Sequence, residues 1–199
     1  MSRVRTLACA TLALLAGGCA ATSPYGPVDV TRYHLDVPPT RGTVMVQPVA
    51  GPKAVTPEYQ LYADAVARSL AANGYAAAPD PTTSDFIAGV SYLRATRGVL
   101  REHSPVSIGI GGGTWGGSAG LSAGATFPVG KGSSHELYVT ELAVQLRRRS
   151  DNTVIWEGRA QTEAVQGQPD AQPVMAADRM AQALFKGFPG ESGVTITVK

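Results

Sequence analysis

Residues 137–163 read LYVTELAVQLRRRSDNTVIWEGRAQTE. Tyr138, Thr140, Leu142, Val144 and Leu146 fall on one side of an extended chain, because successive side chains of a strand point to opposite faces. Ser150-Asp151-Asn152 is turn chemistry, since short polar side chains hydrogen-bond the local backbone. Beyond it, Val154, Trp156, Gly158 and Ala160 alternate again. The stretch predicts a β-hairpin, Leu137 to Arg149 and Thr153 to Glu163, with one apolar face that must be covered.

Upstream, Asp85 to Arg94 carries Phe86, Ala88, Val90 and Tyr92 on one face and reads as a strand. Val28 to Val37 and Gly42 to Val49 are two further extended segments separated by Pro38-Pro39. Between them and Asp85 lies a helix. Thr56 is its N-cap, Pro57 opens it, and Tyr59, Tyr62, Ala63, Val66 and Leu70 form its stripe. Gly74 stands where a left-handed cap ends it. A second helix is expected over Asp170 to Lys186, with Ala177, Met180, Ala181, Leu184 and Phe188 at helical spacing and Gly187 and Pro189 as the stop. A final strand, Val194 to Val198, completes the order β-β-α-β-β-β-α-β. The fold class is α+β: one mainly antiparallel sheet with both helices packed on one face, over residues 28–199.

Residues 104–134 interrupt this pattern as a Gly-rich insertion. Glycine loses much entropy on ordering, so a long loop is expected there. Ile108 and Ile110, and Leu121, Ala123, Ala125 and Phe127, do alternate, which supplies the rival reading of intersubunit or membrane-inserted strands. Against it, Gly111 to Gly117 breaks the 9 to 11 residues of alternation, roughly, that a spanning strand requires.

The first residues, Met1-Ser2-Arg3-Val4-Arg5, are cationic, and Thr6 to Ala16 form an uncharged apolar run of about 11 residues. That is a signal peptide rather than a membrane span, which needs about 20. Leu14-Leu15-Ala16-Gly17-Gly18-Cys19 resembles a bacterial lipobox. The resemblance implies cleavage between Gly18 and Cys19, removing residues 1–18, and acylation of Cys19, which anchors the chain in a membrane. Residues 19–27, small, polar and Pro-containing, then form a flexible tether. The only cysteines are Cys9 and Cys19, so the folded part has neither disulfide nor thiolate metal site. Loss of Arg3 and Arg5 leaves 15 basic against 15 acidic residues, a balance that argues against nucleic acid as a partner.

Catalytic spellings fail in context. Gly111-Gly112-Gly113-Thr114-Trp115-Gly116 satisfies a dinucleotide-loop pattern without a following helix. Gly124 to Lys131 lacks the first glycine and the hydroxyl of a phosphate loop. His135-Glu136-Leu137-Tyr138-Val139 lacks the second histidine of a zinc site, and Gly190-Glu191-Ser192-Gly193-Val194 follows a helix where a nucleophile elbow follows a strand. His34, His103 and His135 lie at strand edges or loop borders. No catalytic, cofactor or metal site is expected. Arg147-Arg148-Arg149 at the hairpin tip is a solvated charge run able to meet an anionic surface.

Leu142-Ala143-Val144-Gln145-Leu146, Thr153-Val154-Ile155-Trp156-Glu157-Gly158-Arg159-Ala160 and Ala183-Leu184-Phe185-Lys186-Gly187-Phe188-Pro189, with Tyr62 to Tyr75 upstream, are similar to the family numbered 4136 among domains of unknown function. The resemblance covers most of the chain after Cys19. It implies an α+β envelope lipoprotein of Gram-negative bacteria and supplies no activity. Ala20 after Cys19, where inner-membrane lipoproteins carry aspartate, implies the periplasmic face of the outer membrane.

The expectation is a non-enzymatic, lipid-anchored module that binds an envelope protein or peptidoglycan through its sheet or hairpin edge. The alternatives are an oligomer built through residues 104–134, and a hydrolase that would have to gather His135, Glu141 or Asp85 in one pocket.

Overall fold

The computed structural model describes residues 25–35, 40–49, 55–80, 82–101, 107–110, 125–128 and 134–199. The elements are β1 (Val28–His34), β2 (Thr43–Pro48), α1 (Pro57–Ala72), β3 (Ala76–Ala77), β4 (Phe86–Arg101), β5 (Ser107–Ile110), β6 (Ala125–Pro128), β7 (Ser134–Arg148), β8 (Val154–Val165), α2 (Pro173–Phe185) and β9 (Thr195–Val198), with a 3-10 turn at Pro169–Ala171.

The helix over Pro57–Ala72 forms for the reasons its sequence carries. The Thr56 hydroxyl accepts from the Tyr59 N–H at 3.0 Å, satisfying one of the donors orphaned at a helix start. At the other end Gly74 adopts φ +89°, a conformation glycine enters without steric cost.

Seven strands form one mixed α+β sheet in the order β3-β2-β4-β7-β8-β1-β9. β4, β7, β8, β1 and β9 pair antiparallel, whereas β2 runs parallel to β3 and to β4. The expected mainly antiparallel sheet is thus corrected at one edge. The cause is α1: a crossover helix between β2 and β4 carries the chain back to its starting end, and a parallel neighbour results.

Every second residue of the central strands belongs to one core with the helices: Val28 and Val30, Phe86, Ala88 and Val90, Leu142, Val144 and Leu146, Trp156 and Ala160, against Tyr59, Tyr62, Val66, Leu70, Met180 and Leu184. Val154 leaves the expected face and is 39% exposed. The ladder shifts between Leu146 and Arg147, where Ile155 is an extra residue in β8, and such a bulge reverses the alternation behind it.

The Gly-rich segment differs from a plain loop, because β5 and β6 pair antiparallel from Ser107 opposite Pro128 to Ile110 opposite Ala125. The rest of that expectation, at 104–106, 111–124 and 129–133, lies outside the described residues, as do the end of the first predicted strand at Val37 and the whole of 1–24.

One end of the sheet is stepped. Val28 pairs with Thr162, Thr162 with Thr140, and Thr140 with Arg94. Past that level β8 runs on to Val165 opposite Leu137, and β4 and β7 continue to Arg101 opposite Ser134. The tight β7–β8 turn lies at the opposite end.

Candidate functional site

The turn end brings Arg41, Arg148 and Arg149 to one concavity. Its turn is built locally: Asp151 accepts from the Thr153 N–H at 3.1 Å and from Arg148 at 2.7 Å, and Asn152 takes φ 59°. Hydrogen bonds from the Thr153 backbone and from Arg148 hold the Asp151 carboxyl below the usual carboxylate range.

Arg149 reaches sideways to the start of β4. Its backbone N–H donates to Asp85 O at 2.9 Å, and its Nε and Nη2 both donate to the Ser84 hydroxyl at 3.0 and 2.8 Å. Ser84 is 2% exposed, so this fork is anchored on a buried oxygen. Asp85 in turn accepts from the Thr43 N–H at 2.8 Å and its hydroxyl at 2.7 Å, which lowers its pKa. A concavity of about 480 Å³ opens between these groups, lined by Arg41, Arg148, Arg149, Ser84, Ser150 and Asp85 together with Thr40 and Phe86. Arg41, Arg148 and Arg149 line it beside Asp85, and Arg148 is also paired with Asp151. Planar guanidinium forks and hydroxyls match the oxygens of a carboxylate or phosphate, so the arrangement can bind an oxyanion. The Arg run was visible in the sequence, whereas Arg41 and Ser84 were not.

The residues that a hydrolase reading would gather stay apart. His135 pairs across from Leu100, and Asp85 precedes Phe86, which pairs with Arg148 at the other end of the same ladder. At about 3.3 Å per residue, that is roughly 40 Å or more, and Glu141 stands about 20 Å from His135 along β7. His34 lies elsewhere, with its ring nitrogens 2.9 Å from Leu35 O and 3.1 Å from Gly190 O. Ser192 accepts from the His34 N–H at 3.2 Å, as a turn residue would. Among the described residues no three His, Cys, Asp or Glu side chains converge as metal ligands. His103, Gly111–Gly116, Gly18 and Cys19 lie outside the described residues, and no side chain of 124–131 is described.

The aromatic residues pack the core. Tyr62 stacks on Tyr92 with centroids 4.6 Å apart, and Trp156 on Phe185 at 5.3 Å while its indole N–H donates to Pro189 O at 3.0 Å. Burial pushes the Tyr59 hydroxyl up to about 12; burial, and secondarily the Glu58 carboxylate, do the same for Tyr62. Gly158 explains the Trp-Glu-Gly spacing: a Cβ there would meet Trp156 Cη2 at 2.4 Å and Leu184 Cδ1 at 2.8 Å. Two residues along the same face, only glycine leaves room for the indole.

Arg32 went unnoticed in the sequence. It is 4% exposed, and its Nε donates to Leu184 O at 2.9 Å while Nη2 donates to Ala183 O at 2.8 Å and Lys186 O at 3.0 Å. The buried guanidinium thus caps the carbonyl end of α2, where a cation also meets the negative end of the helix dipole. Burial lowers its pKa. The available signal was its register: Val28, Val30 and Arg32 share the core face.

At the stepped end, the chain leading into β1 is clamped. Asp170, 5% exposed, accepts from the Gly26 N–H at 2.9 Å, Thr162 donates to Pro27 O at 2.9 Å, and Arg179 lies 4.7 Å over the Tyr25 ring. Tyr25, Gly26 and Pro27, grouped with the tether by composition, are therefore held by the fold. No helix among the described residues is long and apolar enough to cross a membrane.

Residues 43–190 match the model of a family described as domain of unknown function DUF4136. An uncharacterized protein of Zymomonas mobilis is 33% identical, over 87% of this chain and 80% of that protein. Among solved structures, a PDZ domain protein from Parabacteroides distasonis is similar at TM-score 0.42 and 9% identity, covering 87% of this chain and 39% of that one, so this chain spans well under half its length. The PelC dodecamer from Paraburkholderia phytofirmans is similar at TM-score 0.41 and 13% identity, over 79% of this chain and 94% of that one. Likenesses this distant carry no argument about what the chain does.

Proposed function

The chain belongs to the DUF4136 family of domains of unknown function, and from that premise we propose that it is a non-enzymatic, lipid-anchored module of the bacterial envelope. Acyl chains on Cys19 tether one end of the sheet to the periplasmic face of the outer membrane. The arginine-lined end holds an anionic group of an envelope protein or of peptidoglycan. The observation that supports this reading is the polarity of the sheet: β1, which follows Cys19, begins opposite Thr162, while Arg148 and Arg149 lie beside the turn at the far end of the β7–β8 ladder. A strand of about ten residues at roughly 3.3 Å each separates the two ends by about 30 Å. A membrane-held protein so arranged offers its cations to something other than its own membrane.

The test is in-cell crosslinking of the wild type, Cys19→Ser and Arg148→Glu/Arg149→Glu, with partners identified by mass spectrometry. Expected is a partner set lost in the double charge reversal. An identical set in the double variant contradicts the binding end, and a Cys19→Ser chain that stays with outer-membrane fractions contradicts the anchor. The antiparallel pairing of β5 with β6 favours a second reading, in which this ribbon joins copies of the chain; native mass spectrometry showing a strict monomer at cellular concentration removes it.

A further inference from the structure

We infer that the concavity between the first turns of α1 and the edge of β4 binds a neutral saccharide, whose hydroxyls pair with Glu58, Tyr59, Tyr62 and Arg94.

The sign is a cluster of buried oxygens without partners. Six buried side-chain atoms among the described residues make no hydrogen bond, and three of them, Glu58 Oε1, Tyr59 Oη and Tyr62 Oη, come from one five-residue stretch of α1. Tyr59 is 5% exposed and Tyr62 0%. Folded interiors leave few such atoms unpaired, so three together beside a cavity call for an occupant. Glu58 and Tyr59 line a concavity of about 420 Å³ with Ser91, Tyr92 and Arg94, and Pro48 and Val90 belong to its apolar wall. That volume lies within the range of small-molecule sites, about 300–1,000 Å³. The concavity opens where β2 stops: among the described residues, the last bond on that edge of β4 runs from the Val49 N–H to Val90 O at 3.1 Å.

Charge selects the class of ligand. Glu58 Oε1 and Arg94 Nη1 lie 4.0 Å apart, within reach of each other's charge but too far for a hydrogen bond. Arg94 is held where it is, because Nη2 donates to Ala171 O at 2.6 Å and the guanidinium lies 4.5 Å over the Tyr138 ring. An entering anion would meet Glu58, and a cation would meet Arg94. A hydroxyl oxygen about 2.8 Å from both atoms donates to the carboxylate and accepts from the guanidinium, and neither charge opposes it. Tyr62, one turn beyond Glu58, stacks on Tyr92 at 4.6 Å, and burial first and the Glu58 carboxylate next raise its pKa, so its phenol belongs to the same group. Phenols donate or accept and suit hydroxyls either way. Several closely spaced hydroxyls on one ring, with C–H groups to lie on Pro48 and Tyr92, describe a pyranose. A single amide brings one donor and one acceptor and would leave oxygens of this set unpaired.

The test uses the full chain in a zwitterionic detergent without a sugar headgroup, with cellobiose and N,N′-diacetylchitobiose as probes at millimolar concentration. Expected are saturable shifts of the backbone amides of Glu58, Tyr59, Ser91, Tyr92 and Arg94 in heteronuclear NMR. A preference for the acetylated sugar assigns the site to an amino-sugar glycan such as that of peptidoglycan, and a preference for cellobiose to a plain hexose polymer. Glu58→Gln and Tyr62→Phe should each weaken the binding about three- to tenfold, the value of one hydrogen bond. Because the Tyr62 hydroxyl bonds nothing within the fold, Tyr62→Phe should leave Tm unchanged or raise it. Absence of shifts with both sugars, or shifts that neither substitution weakens, overturns the inference. A Tm lowered by Tyr62→Phe would show that the phenol is already satisfied inside the fold, and overturns it likewise.

Discussion

Gly158→Ala is the change for which the geometry gives the firmest magnitude. The added methyl would lie 2.4 Å from Trp156 Cη2, 2.9 Å from Cζ2 and 2.8 Å from Leu184 Cδ1. Trp156 has little room to yield, being 1% exposed, stacked on Phe185 and hydrogen-bonded to Pro189 O. Overpacking of this kind costs about 1–3 kcal/mol, and displacing the indole from its carbonyl adds about 1 kcal/mol. The lower entropy of the unfolded alanine chain returns up to about 1 kcal/mol. The net expectation is a loss of about 1–4 kcal/mol, which for a domain of this size lowers Tm by roughly 3–12 °C. Urea and thermal unfolding followed by circular dichroism read it directly. The same substitution in a Trp156→Phe background should cost at least about 1 kcal/mol less, because the ring atoms that clash are gone while Leu184 remains. A cost under about 0.5 kcal/mol in the wild type, or one that Trp156→Phe leaves unchanged, refutes the steric account of the Trp-Glu-Gly spacing.

Arg32→Met keeps the apolar stem but abandons three carbonyls at the end of α2, and should destabilise the fold by about 3–4 kcal/mol in urea; Arg32→Lys recovers less than half, since an ammonium cannot span the same carbonyls as the planar fork. The Asp85 carboxyl, held down by the Thr43 N–H and hydroxyl, contributes stability that is present above the ordinary carboxylate range and is lost as pH falls through its lowered pKa. Asp85→Asn should therefore lower the denaturation midpoint at neutral pH and leave it unchanged at the acid limit, and Thr43→Val should raise the Asp85 titration midpoint in carboxyl NMR. Arg148→Glu/Arg149→Glu should abolish binding of anionic peptidoglycan fragments measured by calorimetry, while circular dichroism stays that of the wild type; retained affinity counts against the arginine-lined end.

The parts legible in the sequence were those whose cause is local. Thr56, Pro57, the Tyr59 to Leu70 stripe and Gly74 specify α1 within one stretch of chain, and the alternation around Ser150-Asp151-Asn152 specifies the hairpin. What escaped depends on distant partners. The parallel placement of β2 follows from how α1 packs, and alternation is the same in parallel and antiparallel strands. The Ile155 bulge moved Val154 off the core face because one inserted residue leaves no compositional mark. Arg32 drew no notice in the sequence because its acceptors lie about 150 positions away in α2. At the arginine-lined end, the run Arg147–Arg149 was conspicuous, but Arg41 and Ser84 come from loops that only the sheet order brings beside it.

The central claim is that the sheet is held to a membrane at one end by lipid on Cys19, and the intact mass of the chain extracted with detergent from its own cells tests it most directly. The account predicts an N-terminus at Cys19 carrying a diacylglycerol thioether and an amide-linked acyl chain. A chain beginning at Met1, or one cut near Cys19 with its thiol unmodified, contradicts it.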